Sequence, residues 1–256
     1  RYCAGLLFWY HNSPLRQTGG RMWDWSLEPT AALYFSQDAL EPLHAQFDYL
    51  SNTVTVVNDT YKAFKGYTVR ADVYDFNLKK VASKQARVDL PEDGLAHKVF
   101  AVDFPADITP VHFIKLTLAD EQGAFVSDTF YWRSTSVYLG KKTVTGPCTA
   151  GFEDLARLPA ATLKVGKAER RDKGSAFIDV TVENAGTSLA FMTQLQLLDR
   201  AGKPVRPSFY TDNFFSLLPG ERRTVVIETE GTNLKGGDAL VVKGWNAAPQ
   251  KMLVRP

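Results

Sequence analysis

Cysteine, histidine and long apolar runs are all scarce in this chain of 256 residues, and each shortage removes a class of function. The two cysteines, Cys3 and Cys148, are too few for a disulfide framework, and their spacing excludes a zinc ribbon. They either form one bridge in an oxidising compartment or stand as two buried thiols. His44, His97 and His112 have no metal-ligand spacing between them, so they are expected in satisfied core or surface positions, and neither a metal nor a cofactor is expected. No apolar stretch approaches the ~18 residues that span a bilayer, which argues against a membrane partner, and nothing resembles a secretory leader. Charge of one sign is lacking as well: 30 Lys and Arg stand interspersed among 28 Asp and Glu, for a net charge of +2. Nucleic acid is therefore not an expected partner, because phosphate binding calls for a clustered basic face. The run Glu169-Arg170-Arg171-Asp172-Lys173 mixes both signs and is expected to be a solvated turn.

What is present is the composition of a globular protein, 45% hydrophobic and 23% charged, long enough for about two domains. The opening differs from the rest. Leu6 to Tyr10 is apolar without alternation, which suits a strand covered on both faces in a parallel sheet. After a polar loop with Gly19-Gly20, Ser26-Leu27-Glu28-Pro29 reads as a helix start, with Pro29 in the first turn. Ala32, Phe35 and Ala39 follow at helical spacing, and Pro42 ends the segment. A single strand–loop–helix unit cannot bury its own faces. Because the chain runs from Arg1 straight into that apolar stretch, its start is expected to be a cut edge, with a partner packing on residues 1–42.

From residue 43 the pattern becomes short runs between turn residues. Thr53–Val57, Tyr67–Phe76, Arg87–Leu90, Lys98–Phe104, His112–Leu118 and Phe125–Trp132 are expected strands, punctuated at Asn58-Asp59, Asp93-Gly94 and Gln122-Gly123. That cadence is immunoglobulin-like over residues 43–138, and Ile114, Leu116 and Leu118 fall on one face. Residues 139–158 lack periodicity and are expected to be a linker. A second sandwich over 159–256 is expected from the alternation of Ile178, Val180 and Val182 and from strands at 192–198, 224–228 and 239–244. Asn184-Ala185-Gly186 and Asp199-Arg200-Ala201-Gly202 look like hairpin turns.

Three segments together resemble glycoside hydrolase family 2, in the branch of β-mannosidases, exo-β-glucosaminidases and mannosylglycoprotein endo-β-mannosidases. Gly5-Leu6-Leu7-Phe8-Trp9-Tyr10-His11-Asn12 is similar to that family's eighth barrel strand, although Ser13-Pro14-Leu15 departs from what usually follows. Met22-Trp23-Asp24-Trp25-Ser26-Leu27-Glu28-Pro29-Thr30-Ala31, continuing to Glu41-Pro42-Leu43-His44, resembles its final barrel helix and exit. Tyr210-Thr211-Asp212-Asn213-Phe214-Phe215-Ser216-Leu217-Leu218-Pro219-Gly220-Glu221 resembles a signature in its last sandwich. The resemblance implies a mainly β chain: two immunoglobulin-like β-sandwiches preceded by the last βα unit of a (β/α)8 barrel, residues 1–42.

It also implies retaining hydrolysis of β-mannosides or β-glucosaminides by two carboxylates about 5–5.5 Å apart. In the family both are Glu residues on earlier barrel strands, so no catalytic residue is expected here and the chain alone is expected to be inactive. Glu28 and Glu41 match neither motif. The expected partner is the N-terminal remainder of the same enzyme, and a secreted or periplasmic location follows from the resemblance alone. Barrel sites lie at the C-terminal ends of strands, which makes Trp9, His11 and Asn12 the candidate substrate-binding residues. Trp9 would offer an apolar face and Asn12 a donor and an acceptor; the alternatives are a core aromatic and a loop cap. Asp24 is expected in an ion pair or at the helix entry, Trp132 in a sandwich core, and Asp212–Phe215 in a loop fixed by packing. Asn58-Asp59-Thr60 fits the N-glycosylation pattern. The rival class is a non-catalytic tandem sandwich for binding or spacing, for which the N-terminal βα segment would have no use.

Overall fold

The computed structural model describes residues 7, 11–12, 14–15, 21–92, 94–135 and 151–255. The expected strand Leu6–Tyr10 apart from Leu7, Trp9, both cysteines and most of the 139–158 linker lie outside the described residues, as does the side chain of His97. The rest divides into two compact units, one of Leu7 with Phe35–Arg157 and one holding the described residues of Phe8–Tyr34 with those of Leu158–Pro256.

In the first unit β1 (Leu43–Asp48), β2 (Thr53–Asn58) and β5 (Gly94–Ala101) form one antiparallel sheet. The other, in the order β4-β3-β6-β7, comprises β3 (Phe64–Tyr74), β4 (Lys80–Leu90), β6 (Val111–Ala119) and β7 (Phe125–Ser134). Alternation places Ala45, Phe47, Val54 and Val56 of the first sheet against Val69, Val73, Ile114, Leu116 and Leu118 of the second, all buried. Across this core the Tyr131 hydroxyl accepts from Phe47 N at 3.1 Å, and the Thr129 hydroxyl donates to Ala45 O at 3.0 Å. Trp132 is not in that core. It pairs with Phe113 on the outer face of the sheet, because β7 turns Tyr131 inward and its neighbours outward.

The second unit has four strands in each sheet. β8 (Leu163–Asp172), β9 (Ser175–Asn184), β13 (Arg222–Glu230) and β11 (Ser208–Tyr210) make one. β12 (Phe215–Leu217), β10 (Ala190–Leu198), β14 (Ala239–Lys243) and β15 (Gln250–Leu253) make the other. Ile178, Val180, Val182, Leu195, Leu197, Val225, Ile227, Leu240 and Val242 fill the space between them. The charge run expected to be a turn is strand: Glu169–Asp172 belong to β8, an edge strand whose outward positions tolerate charge. Only Lys173 and Gly174 reverse the chain, with φ of 47° and 90°, the left-handed pair that a two-residue hairpin needs.

Of the two expected hairpins the second is one: Asp199 N donates to Lys203 O at 2.7 Å and Val205 N to Leu197 O at 2.9 Å around an antiparallel bridge between Leu198 and Pro204, before the chain goes on to β11 in the other sheet. The first is not, because β9 and β10 lie in different sheets and its turn carries the chain across the core. At the first, Asn184 is fully buried. Its Oδ1 accepts from Gly186 N at 3.1 Å, and its Nδ2 donates to Ser188 O and Leu217 O at 2.8 Å each. Asn58 repeats the arrangement at the end of β2: Oδ1 accepts from Thr60 N, and Nδ2 donates to Lys62 O at 2.8 Å and Pro91 O at 2.7 Å. In both sandwiches the distant carbonyl lies 33 residues onward.

Helix α1 (Ala31–Ala39) starts later than the expected Ser26–Pro29. Thr30 caps it, its Oγ1 accepting from Ala32 N at 3.2 Å. Residues 24–28 form a loop instead, because Asp24 Oδ1 gathers Ser26 N and Ser26 Oγ at 2.7 Å and Glu28 N at 2.9 Å. Tyr34 is the helix's buried side chain, and Ala39 is exposed.

Three outcomes follow from these contacts. Asn184→Ala leaves the buried Leu217 carbonyl and the half-buried Ser188 carbonyl and Gly186 amide without their partner and should cost about 2–3 kcal/mol in denaturant unfolding. In a glycosylating host, intact-mass analysis should find Asn58 unmodified, since its amide is 2% exposed and both its hydrogens are bonded. Burial works to raise the Asp24 pKa, but the Glu28 amide, the Ser26 hydroxyl and amide and the Arg206 charge outweigh it and hold the carboxyl below its usual 3.8. A depressed carboxyl stabilises above that value and ceases to do so as pH falls through the folded-state pKa. Asp24→Ala should therefore cost about 1–2 kcal/mol at neutral pH, and the gap to the parent should narrow below pH 3.8.

Candidate functional site

The predicted site residues that the structure describes, His11 and Asn12, are exposed and lie beside Trp23. Trp23 N donates to His11 O at 3.2 Å, and Trp23 bridges Asn12 on one side and Pro29 on the other. The rings of His11 and Trp23 stand 6.4 Å apart at 34°. Arg21 donates to the main-chain carbonyl of Asn12 at 3.3 Å, and no described residue bonds the Asn12 side-chain amide. The result is a ledge with an aromatic base, an imidazole and an amide able to give and accept hydrogen bonds. Trp25, half exposed, follows Asp24 on the same segment. Trp9, the third predicted residue, lies outside the described residues.

The ledge is held from below by the second sandwich. Thr30 N donates to Met22 O at 3.0 Å and Asp24 N to Glu28 O at 2.9 Å, which folds residues 22–30 back on themselves. Glu28 then pairs with Arg206 at 2.8 Å, and the buried Tyr34 packs on Phe214 with ring centroids 6.0 Å apart. Burial pushes the Tyr34 hydroxyl up to about 12, against a hydrogen bond with the Asn213 side chain that works the other way. It is a fixed neutral group at physiological pH.

The segment Tyr210–Glu221 supplies the counter-surface, and nearly every polar atom in it has a structural task. Tyr210 is half-buried with its hydroxyl turned inward, where it accepts from Leu197 N at 2.8 Å; burial raises its pKa strongly. Asp212 takes Arg223 at 2.6 Å. Asn213 grips β10 by both ends of its amide, accepting from Leu195 N at 2.8 Å and donating to Leu195 O at 3.0 Å. Phe214 adopts φ of 59°, Phe215 is buried in the core, and the Ser216 hydroxyl accepts from Met192 N at 3.2 Å. Glu221 Oε2 caps Leu218 N at 2.8 Å. The expectation that Asp212–Phe215 is fixed by packing agrees with these contacts.

Sequence reasoning overlooked the groups that carry the ledge: Arg21, Trp23, Tyr34 and Arg206. Trp23 had a signal in its neighbours Asp24 and Trp25, whereas Arg206 lies far off in sequence and had none. The carboxylates near the ledge are committed: Asp24 to its loop and Glu28 to Arg206. Among the described residues no three His, Cys, Asp or Glu side chains converge as metal ligands would.

Comparison with known proteins agrees with this architecture. Residues 142–247 match the family described as the exo-β-D-glucosaminidase Ig-fold domain, and residues 52–135 the mannosidase Ig/CBM-like domain. An exo-β-D-glucosaminidase of Amycolatopsis orientalis is 30% identical over 96% of this chain and 25% of its own length. The crystal structure of the exo-chitosanase of Amycolatopsis orientalis superposes with a TM-score of 0.85 at 26% identity, covering 98% of this chain and 31% of that one. A β-D-mannosidase of Dictyoglomus thermophilum shares the fold, with a TM-score of 0.60 at 16% identity, 94% of this chain and 26% of that one. The chain thus spans about a quarter to a third of the proteins it matches. It belongs to glycoside hydrolase family 2, as the C-terminal portion that carries the exo-β-D-glucosaminidase and mannosidase Ig-like domains.

Proposed function

We propose that this chain is the C-terminal part of a retaining β-glycosidase that acts on β-glucosaminides, with β-mannosides as the second substrate class. The observation that carries the assignment is the match to an exo-β-D-glucosaminidase over 96% of the chain, while the chain spans only a quarter of that relative. Residues 1–42 complete a catalytic barrel whose remainder packs on them, and both catalytic carboxylates come from that remainder. The commitment of Asp24 and Glu28 to structural bonds supports this division of labour. Trp9, His11 and Asn12 bind substrate at the C-terminal end of the last barrel strand, Trp9 as a platform for the apolar face of a sugar and Asn12 and His11 as partners for its hydroxyls. The exposure of His11 and Asn12 above Trp23 supports that role. A secreted or periplasmic location goes with this reading, on the family resemblance alone.

The test is turnover of p-nitrophenyl β-D-glucosaminide and β-D-mannoside by the full-length protein and by the 256-residue chain. The full-length protein should hydrolyse the glucosaminide faster, and the chain by itself should hydrolyse neither. Asn12→Ala in the full-length protein should lower kcat/KM by roughly tenfold, about 1.4 kcal/mol of transition-state binding. Turnover by the isolated chain, or none by the full-length protein on either substrate, would sink the assignment.

A further inference from the structure

The ion pair between Arg206 and Glu28 joins the final sandwich to the segment that bears the ledge, and its two ends are mounted differently. On the sandwich side the main chain is pinned on both flanks of Arg206. Val205 is buried, and its N–H donates to Leu197 O at 2.9 Å. The Ser208 hydroxyl donates to Val205 O and the Thr229 hydroxyl to Pro207 O, at 2.7 Å each. Arg206 therefore projects from a fixed base. On the other side Glu28 ends a loop in which none of residues 24–28 is buried. Trp25 and Leu27 are exposed there, and Leu27 takes φ of 61°, a conformation that strains a leucine. With strain in it and no buried side chain, this loop keeps its shape through polar bonds: Asp24 Oδ1 from within and Arg206 from outside.

The path from that loop to the ledge is short. Asp24 N donates to Glu28 O and Glu28 N to Asp24 Oδ1, both at 2.9 Å, so the ends of the loop move together. Trp23 immediately precedes Asp24, donates to His11 O and bridges Asn12. An ion pair as exposed as this one adds little to folding. Its leverage on catalysis is larger, because a misplacement of about 1 Å in a substrate-binding group can cost about a hundredfold in rate. We propose that Arg206 is a positioning residue for glycoside hydrolysis: through Glu28 and the 24–28 loop it fixes Trp23, and with it the His11 and Asn12 groups that meet the sugar. This role rests on the assignment of the ledge to substrate binding above.

The test is a double-mutant cycle in the full-length protein, read with p-nitrophenyl β-D-glucosaminide. Arg206→Ala should lower kcat/KM about tenfold while the melting temperature moves by no more than a few degrees. In Asn12→Ala protein the same change should cost less than about threefold, because a group that it positions is gone. Arg206→Lys, which keeps a cation beside Glu28, should recover most of the loss. Glu28→Gln should lower kcat/KM as well, which separates positioning from bare charge. Arg206→Ala uncovers a negative charge and Glu28→Gln a positive one, and charge alone would move the KM of a cationic glucosaminide in opposite directions. Arg170→Ala breaks a comparable ion pair on the same sandwich, with Asp179 at 3.2 Å, and should leave turnover at the parent level. Parent-level kcat/KM in Arg206→Ala overturns the proposal. So does a loss just as large in the Asn12→Ala background, a loss that tracks unfolding in both Arg206 variants, or KM shifts of opposite sign. Each of those results leaves the hydrolase assignment standing, whereas a parent protein that turns over neither glucosaminide nor mannoside removes both.

Discussion

A β-sandwich must satisfy main-chain polar groups wherever the chain leaves one sheet for the other, and in this protein side-chain amides do it. Asn58 and Asn184 each close their own turn and reach a carbonyl 33 residues away. Asn246 joins Pro159 O and Leu189 O while accepting from Phe191 N. Asn213 takes the place of a strand beside Leu195. Asparagine suits these positions because one planar group offers two donors and an acceptor in the geometry of a peptide. Remove one and several buried groups lose their partners at once, which is a larger penalty than a missing methyl group in the core.

The same amides connect the second sandwich to its candidate site. Asn213 fixes β10 with one set of bonds and shares another with the Tyr34 hydroxyl. The left-handed turn at Phe214 sets its ring against Tyr34. With Glu28 on Arg206, these contacts hold the 22–34 segment, and through Trp23 they hold His11 and Asn12. The signature segment is therefore a support for the ledge, and its polar side chains are consumed in being one.

Carboxylates in the second unit do likewise. Asp24 stays ionised because amides and a hydroxyl gather round it, and Asp212 is neutralised by Arg223. Asp24 therefore lacks the raised pKa that would mark a general acid. In the first unit His44 Nε2, His112 Nε2 and the Ser127 hydroxyl are buried with no hydrogen-bond partner among the described residues.

Much of the strand content could be read from period-two alternation, as at Ile178, Val180 and Val182 or Ile114, Leu116 and Leu118, because a half-buried strand must alternate. The charged edge strand β8 escaped notice, since a strand with little core to cover need not look hydrophobic. The helix entry was misplaced because Asp24, four residues ahead of Glu28, outcompetes helical geometry at Ser26. His11 and Asn12 could be picked out by type and position; that they stand over Trp23, and that Arg206 and Tyr34 anchor that segment, could not. By itself the sequence determined which segments alternate, where the chain turns and which family it resembles, for these depend on neighbours within a few residues. Tertiary structure alone decided which sheet each turn feeds and which distant side chains brace the 22–34 segment. Those outcomes depend on partners dozens of residues away, whose approach no local pattern encodes.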